Sequence, residues 1–150
     1  MTTITEFAKL AAEEFREHRP RLLRYFDVGD FELRYHGVLL LRREPDGSYL
    51  IRWPRDFYHS SPDNIERGIL NALLRGVGLG RAYRFVVYNG RSPYRSARTG
   101  LFWVYSLNKW HRVTDFAYDT WYPLVPGELG RLAALHAHNH KTEQVELVQE

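Results

Sequence analysis

From Gly47 the chain alternates, with Tyr49, Ile51 and Trp53 on one side and Leu50 and Arg52 on the other, the two-residue period of a half-buried strand. Pro54 ends that pattern. Ser61 then stands where an N-cap belongs, Pro62 takes the first helical position, and Asp63 sets a carboxylate against the positive end of the helix dipole. Ile65, Ile69, Leu70, Leu73 and Leu74 fall on one stripe while Glu66, Arg67, Asn71 and Arg75 face away, which predicts an amphipathic helix over 61–76. Gly76, Gly78 and Gly80 close it. Full burial of a Leu or Ile is worth roughly 1.5–3 kcal/mol, so this stripe makes the helix a main support of the fold.

Around this unit the other elements are placed in turn. A first helix is predicted over Thr5–His18, with Thr3 and Glu6 as a capping box, Phe7, Leu10, Ala11 and Phe15 inward and Glu6, Lys9, Glu13, Glu14 and Glu17 outward. Pro20 closes it, and Arg16, Arg19, Arg21 and Arg24 gather at its C-terminal end as a solvated basic cluster. Residues 31–53 read as two strands joined by Glu44-Pro45-Asp46-Gly47, in which Pro fixes φ and Gly accepts a positive φ. The pattern returns at an offset of 53 positions: Tyr35-His36-Gly37 matches Tyr88-Asn89-Gly90, Gly47 matches Gly100, Tyr49 matches Phe102 and Ile51 matches Val104, as a duplicated hairpin unit would. Alternation of Trp110, Arg112 and Thr114 with His111, Val113 and Asp115 predicts a further strand. A last helix is placed over 126–140, with Leu129, Leu132, Ala133 and His136 aligned; residues 141–150 extend it, add an edge strand or fray as a flexible tail. The expected fold is α+β, a single domain over 1–150 with antiparallel hairpins packed against two or three helices.

Composition narrows the class. With 44% hydrophobic residues and 15% aromatics the chain is too apolar for disorder, and no apolar run reaches the ~20 residues of a membrane span. The first residues, MTTITEFAKLAAEEF, lack the basic start and apolar run of a signal peptide, and cysteine is absent, so a cytoplasmic protein is expected. The basic residues comprise 18 Arg and 3 Lys, and the net charge is a modest +3. Arginine forks phosphate and carboxylate and stacks on aromatic rings, although sparse thermolabile side chains also fit a source effect on composition.

Within residues 31–76, the segments GSYLIRW, YHSS and IERGILNALL resemble small tailed-phage accessory proteins of unknown function, in which a strand hairpin leads through a Ser/Thr-rich corner into a helix. That resemblance implies a factor that binds host machinery.

Three constellations could carry chemistry. The tract HAHNH offers His136, His138 and His140, with Glu143 and Glu146 nearby. On a helix only His136 and His140 have the i, i+4 spacing for a metal, whereas on a strand all three would share a face. His59-Ser60-Ser61 and His140-Lys141-Thr142, 81 positions apart, resemble the paired motifs of two-histidine phosphoesterases, in which imidazoles act as acid and base and hydroxyls hold phosphate. The third is the stretch SPYRSARTGLFWVYSLNKWHR. There Arg91, Arg95, Arg98, Lys109 and Arg112 interleave with Tyr94, Trp103, Tyr105 and Trp110, a mixture suited both to a protein interface and to phosphates and bases. No nucleotide-binding glycine loop precedes a helix, since Gly76, Gly78 and Gly80 follow one. The sequence therefore points to a binding protein with no cofactor, metal or catalytic set assigned. Its expected partner is a host protein or nucleoprotein assembly such as RNA polymerase, with direct nucleic-acid binding and phosphoester hydrolysis as the alternatives.

Overall fold

In the computed structural model, Thr3 starts helix α1 (Ile4–Arg16) with the predicted capping box: its side chain accepts from the Glu6 N–H while the Glu6 carboxylate accepts from the Thr3 N–H. The description covers residues 2–55, 57, 63–87, 100–113 and 116–149; of 63, 64, 87, 100, 101, 138 and 140–149 it covers the backbone. Helix α1 ends in a paired-hydrogen-bond motif, Arg19 N–H to Glu14 O and His18 N–H to Phe15 O, with His18 left-handed at φ 57°. The Arg43 guanidinium, itself buried, donates to the Phe15 carbonyl at that helix end and lies 4.3 Å from the Phe15 ring centroid.

Beyond the helix the chain runs through a meander that the apolar pattern only partly revealed. Strands β1 (Arg21–Leu23) and β2 (Phe26–Val28) lie where a basic cluster alone was expected, turning at Arg24, which is left-handed at φ 54°. The first predicted run of the hairpin is itself two strands, β3 (Glu32–Tyr35) and β4 (Val38–Arg43), because His36 and Gly37 both adopt positive φ, 50° and 80°, and form a two-residue turn. Between Leu33 and Arg34 the β3–β4 register shifts, so Leu40 is the extra residue of a bulge and both Leu40 and Leu41 reach the core. Strand β5 (Tyr49–Ile51) follows the Pro45-Asp46-Gly47 turn, which the Asp46 carboxylate closes by accepting from the Ser48 N–H at 2.9 Å.

Helix α2 (Asp63–Gly76) comes next. The Ser61 cap and Pro62 lie outside the described residues. Ile69, Leu70, Leu73 and Leu74 are buried as predicted, whereas Ile65 is exposed: Gly68 lies level with Thr5 on a parallel α1, so Ile65 overhangs the start of that helix. Gly68 faces Thr5 and Gly76 faces Ala12 and the Lys9 backbone across the crossing, with Ala8, Ala12 and Ala72 buried, so that small side chains allow the backbones to approach. Gly78, at φ 82°, then ends α2 with Leu79 N–H on Leu74 O and Gly78 N–H on Arg75 O.

The remaining strands form two sheets. Strands β6 (Tyr83–Val87), β7 (Gly100–Ser106) and β8 (Lys109–Arg112) make a three-stranded antiparallel sheet. Strand β9 (Tyr122–Leu124) returns to pair with β5, completing a six-stranded sheet of order β1-β2-β3-β4-β5-β9. Helix α3 (Glu128–Gln149) packs against β7 and runs on through the residues expected as a tail. Among the described residues the architecture is α+β, built from antiparallel hairpins and three helices. The 53-residue offset does not carry over to the pairing. It would set β7 on β5 and β6 on residues 30–34 of the β3 region, yet β7 pairs with β6 and β8 while β5 pairs with β4 and β9.

Two outward assignments are corrected. Asn71 turns toward β6, donating to the Phe85 carbonyl at 3.0 Å and accepting from the Phe85 N–H at 2.7 Å; its amide stands in for a neighbouring strand and satisfies the edge backbone. Glu14 is buried at the end of α1, where Arg19 donates to its carboxylate at 3.0 and 3.2 Å and Arg21 lies 3.7 Å away. Those bonds from Arg19, reinforced by its charge and that of Arg21, hold the Glu14 carboxyl below the usual range. A carboxyl depressed in the folded state stabilises above its unfolded pKa, and that contribution is lost as pH falls through the folded value. Replacement Glu14→Gln is therefore expected to lower the melting temperature at neutral pH, with the gap to the wild type narrowing as pH falls below the ordinary carboxylate range and Glu14 takes up its proton. Thermal melts over that range check it; a constant gap would assign the cost to packing.

Candidate binding surface

Strand alternation sorts the three-stranded sheet into two faces. Tyr83, Phe85, Phe102, Val104 and Ser106 are buried together, with Phe85 5.6 Å from Trp53 and Phe102 5.1 Å from Tyr122 between ring centroids. The opposite face carries Arg84, Trp103 and Arg112 in one cross-strand row, from the pairs Arg84 with Trp103 and Trp103 with Arg112. Tyr105 and Trp110 are paired in the next row, their ring centroids 5.3 Å apart. The Arg84 guanidinium lies 4.3 Å from the Trp110 centroid. Arg84 and Arg112 are exposed, and Trp103, Tyr105 and Trp110 half-buried.

The face is held from behind and at both edges. Asn71 covers the β6 edge at Phe85, Asn139 of α3 donates to the Arg112 carbonyl at 3.1 Å, and Arg131 donates to the Tyr105 carbonyl at 2.7 Å. The buried Tyr83 hydroxyl donates to the Val125 carbonyl at 2.9 Å and accepts from the Val125 N–H at 3.0 Å, tying the sheet to the segment that leads from β9 to α3. Burial pushes that phenol up. Among the described residues, the buried Trp103 indole N–H and Ser106 hydroxyl have no hydrogen-bond partner.

Of the residues singled out in the sequence, Trp103, Tyr105, Trp110 and Arg112 converge on this face. Lys109 pairs with Ser106 and so alternates to the other side, exposed beside the β7–β8 tip. Arg91, Tyr94, Arg95 and Arg98 lie outside the described residues. Arg84 was missed. It sits alone among apolar neighbours in β6, and only the register sets it over Trp110. A second arginine–tryptophan cluster was also missed: Arg42 and Arg52 lie 5.3 and 5.1 Å from the Trp121 ring, drawn from positions far apart in the chain.

The other two constellations receive less support. Helix α3 runs through the HAHNH tract, so the strand alternative fails and the histidines fall at i, i+2 and i+4; His136 is exposed, and the His138 and His140 side chains lie outside the description. Among the described residues no group of three or more His, Cys, Asp or Glu is arranged to hold a metal. His59 and Ser61, and the side chains of His140 and Thr142, likewise lie outside the description. Glu143 and Glu146, the carboxylates near the histidine tract, are described by backbone alone. No described helix is long and apolar enough to cross a membrane. Comparison with protein-family models, with curated proteins and with solved structures found no match.

Proposed function

We propose that this protein is a non-enzymatic binding factor that docks through the arginine–aromatic face of β6, β7 and β8. The observation that supports it most is the convergence of Trp103, Tyr105, Trp110, Arg84 and Arg112 on one side of a sheet whose other side is core. Trp, Tyr and Arg dominate protein hot spots because Trp and Tyr bring large area at low entropic cost with a polar end, and Arg brings a planar, multidentate cation. The resemblance of residues 31–76 to tailed-phage accessory proteins makes a cytoplasmic host assembly, RNA polymerase or another nucleic-acid machine, the first partner to test. With purified folded protein as bait at physiological salt, host lysate is expected to yield a specific assembly, and Trp110→Ala to reduce its capture at least tenfold, about 1.4 kcal/mol or more. An empty bait, or identical capture by Trp110→Ala, rejects the reading.

The second arginine–tryptophan cluster, Arg42 and Arg52 around Trp121, favours direct nucleic-acid binding as the alternative. Arginines on phosphates release counterions, so that complex would weaken steeply between about 50 and about 200 mM salt. An interface anchored by aromatics tolerates the same change.

A further inference from the structure

Leu41, Ile51 and Tyr122 form one buried cross-strand row of the six-stranded sheet, so the residues next to them turn to its outer side. Arg42, Leu50 and Pro123 make the adjoining row, and Arg52 and Trp121 come one step beyond the Ile51–Tyr122 pair. All five are partly exposed. Arg42 and Arg52 lie 5.3 and 5.1 Å from the Trp121 ring centroid, looser than the 4.3 Å of Arg84 over Trp110, so neither guanidinium is stacked tightly on the indole. Arg52 is held by its Nε, which donates to the Leu39 carbonyl at 2.7 Å. Among the described residues it has no carboxylate partner, and Arg42 has Glu44 at 3.9 Å; Glu32, across from Arg42, is bonded to Arg34. Two cations thus share one ring with little to neutralise them, and an anion between them would relieve their repulsion.

We infer that this outer face of β4, β5 and β9 is a site for single-stranded nucleic acid, with Arg42 and Arg52 on its phosphates and a base stacked on Trp121; this rests on the nucleic-acid reading above. The indole decides the form of the strand. Bases in a duplex turn only their edges to the grooves, whereas an unpaired base offers a π-face. A chain of carboxylates would satisfy the arginines but would leave the indole without a partner. Leu50 and Pro123 continue the face as an apolar floor beside the two cations.

The probe is a labelled oligothymidylate of about ten nucleotides, followed by fluorescence anisotropy on the full chain, with a duplex of the same length and polyglutamate as competitors. The single strand is expected to bind, and each competitor to displace it at least about tenfold less well than unlabelled single strand. Trp121→Ala should weaken binding at least about fivefold without changing its salt dependence, and Trp121→Phe should restore most of the loss. Arg52→Gln should instead reduce the slope of log affinity against log salt by about 0.7, the counterion release of one single-strand phosphate contact. A general loss of fold would not divide stacking from salt dependence in this way. No binding of the single strand, equal competition by duplex or polyglutamate, or Trp121→Ala binding as tightly as the wild type overturns the inference. The first of these outcomes removes the nucleic-acid reading as well. The last, with binding lost in Trp110→Ala instead, keeps that reading and moves it to the face of β6, β7 and β8.

Discussion

Replacing Gly76 by alanine is expected to destabilise the protein by about 2–4 kcal/mol, although alanine is the better helix former. An added Cβ at Gly76 would lie 2.4 Å from the Ala12 Cβ and 2.5 Å from the Lys9 carbonyl oxygen, both far inside contact distance. Neither obstacle can rotate away, because one is a methyl on the backbone and the other is the backbone of α1. The helices must separate instead, and the buried contacts of Ala8, Ala12 and Ala72 are then lost together. At about 2–4 °C per kcal/mol for a chain of this size, the melting temperature should fall by roughly 5–15 °C. Gly68→Ala is the internal control. Its Cβ would meet only the Thr5 methyl at 3.1 Å, a side-chain atom that can yield, so a loss below about 1 kcal/mol is expected. A Gly76→Ala melt matching the wild type, or a Gly68→Ala loss as large, would show that the crossing is not held by close approach.

Gly76 also shows how far the sequence could be read. Its place after an apolar stripe marked a helix end, and α2 does end there; that it is the contact point with α1 could not be seen, because nothing local encodes which helix lies opposite. The signals that worked act over a few residues: the Thr3–Glu6 capping box, the Asp46-closed turn, and the four core positions of α2. Errors arose where two elements of one kind abut. The β3–β4 turn at His36-Gly37 hid inside one apolar run, and β1–β2 turns at an arginine, a residue that gives no turn signal. In α3 the expected inward stripe of Leu129, Leu132, Ala133 and His136 is rotated: Leu129, Ala133 and His136 are exposed, whereas Leu135 is buried and Glu128, Arg131 and Asn139 bond the sheet. Polar side chains that serve strand backbones look outward in any apolar count, which is also why Asn71 was misplaced. The candidate face was legible as a composition, yet Arg84 joined it only through register, and the separate Arg42–Trp121–Arg52 cluster formed only through the return of β9 to β5.

Trp53→Ala is expected to cost about 3–5 kcal/mol, as truncation of a fully enclosed aromatic does. Trp53 lies two residues past β5 and is buried, and its ring meets Phe85 at 5.6 Å, Phe116 at 6.2 Å and Tyr118 at 6.0 Å between centroids, all edge to face. Its indole N–H donates to the Glu66 carboxylate on α2 at 3.2 Å. One side chain thus joins the six-stranded sheet, the three-stranded sheet and the central helix, and its removal opens a cavity at their junction. The loss should reach the candidate binding surface as well, since Phe85 and Phe102 form the buried side of that sheet, and their rings are 5.0 Å apart. Trp53→Phe separates the two contributions: it keeps an aromatic ring but loses the bond to Glu66, and a smaller penalty of about 1–3 kcal/mol is expected. Urea melts followed by circular dichroism distinguish the outcomes. If Trp53→Ala unfolds within about 1 kcal/mol of the wild type, the two sheets do not share a single core at this point.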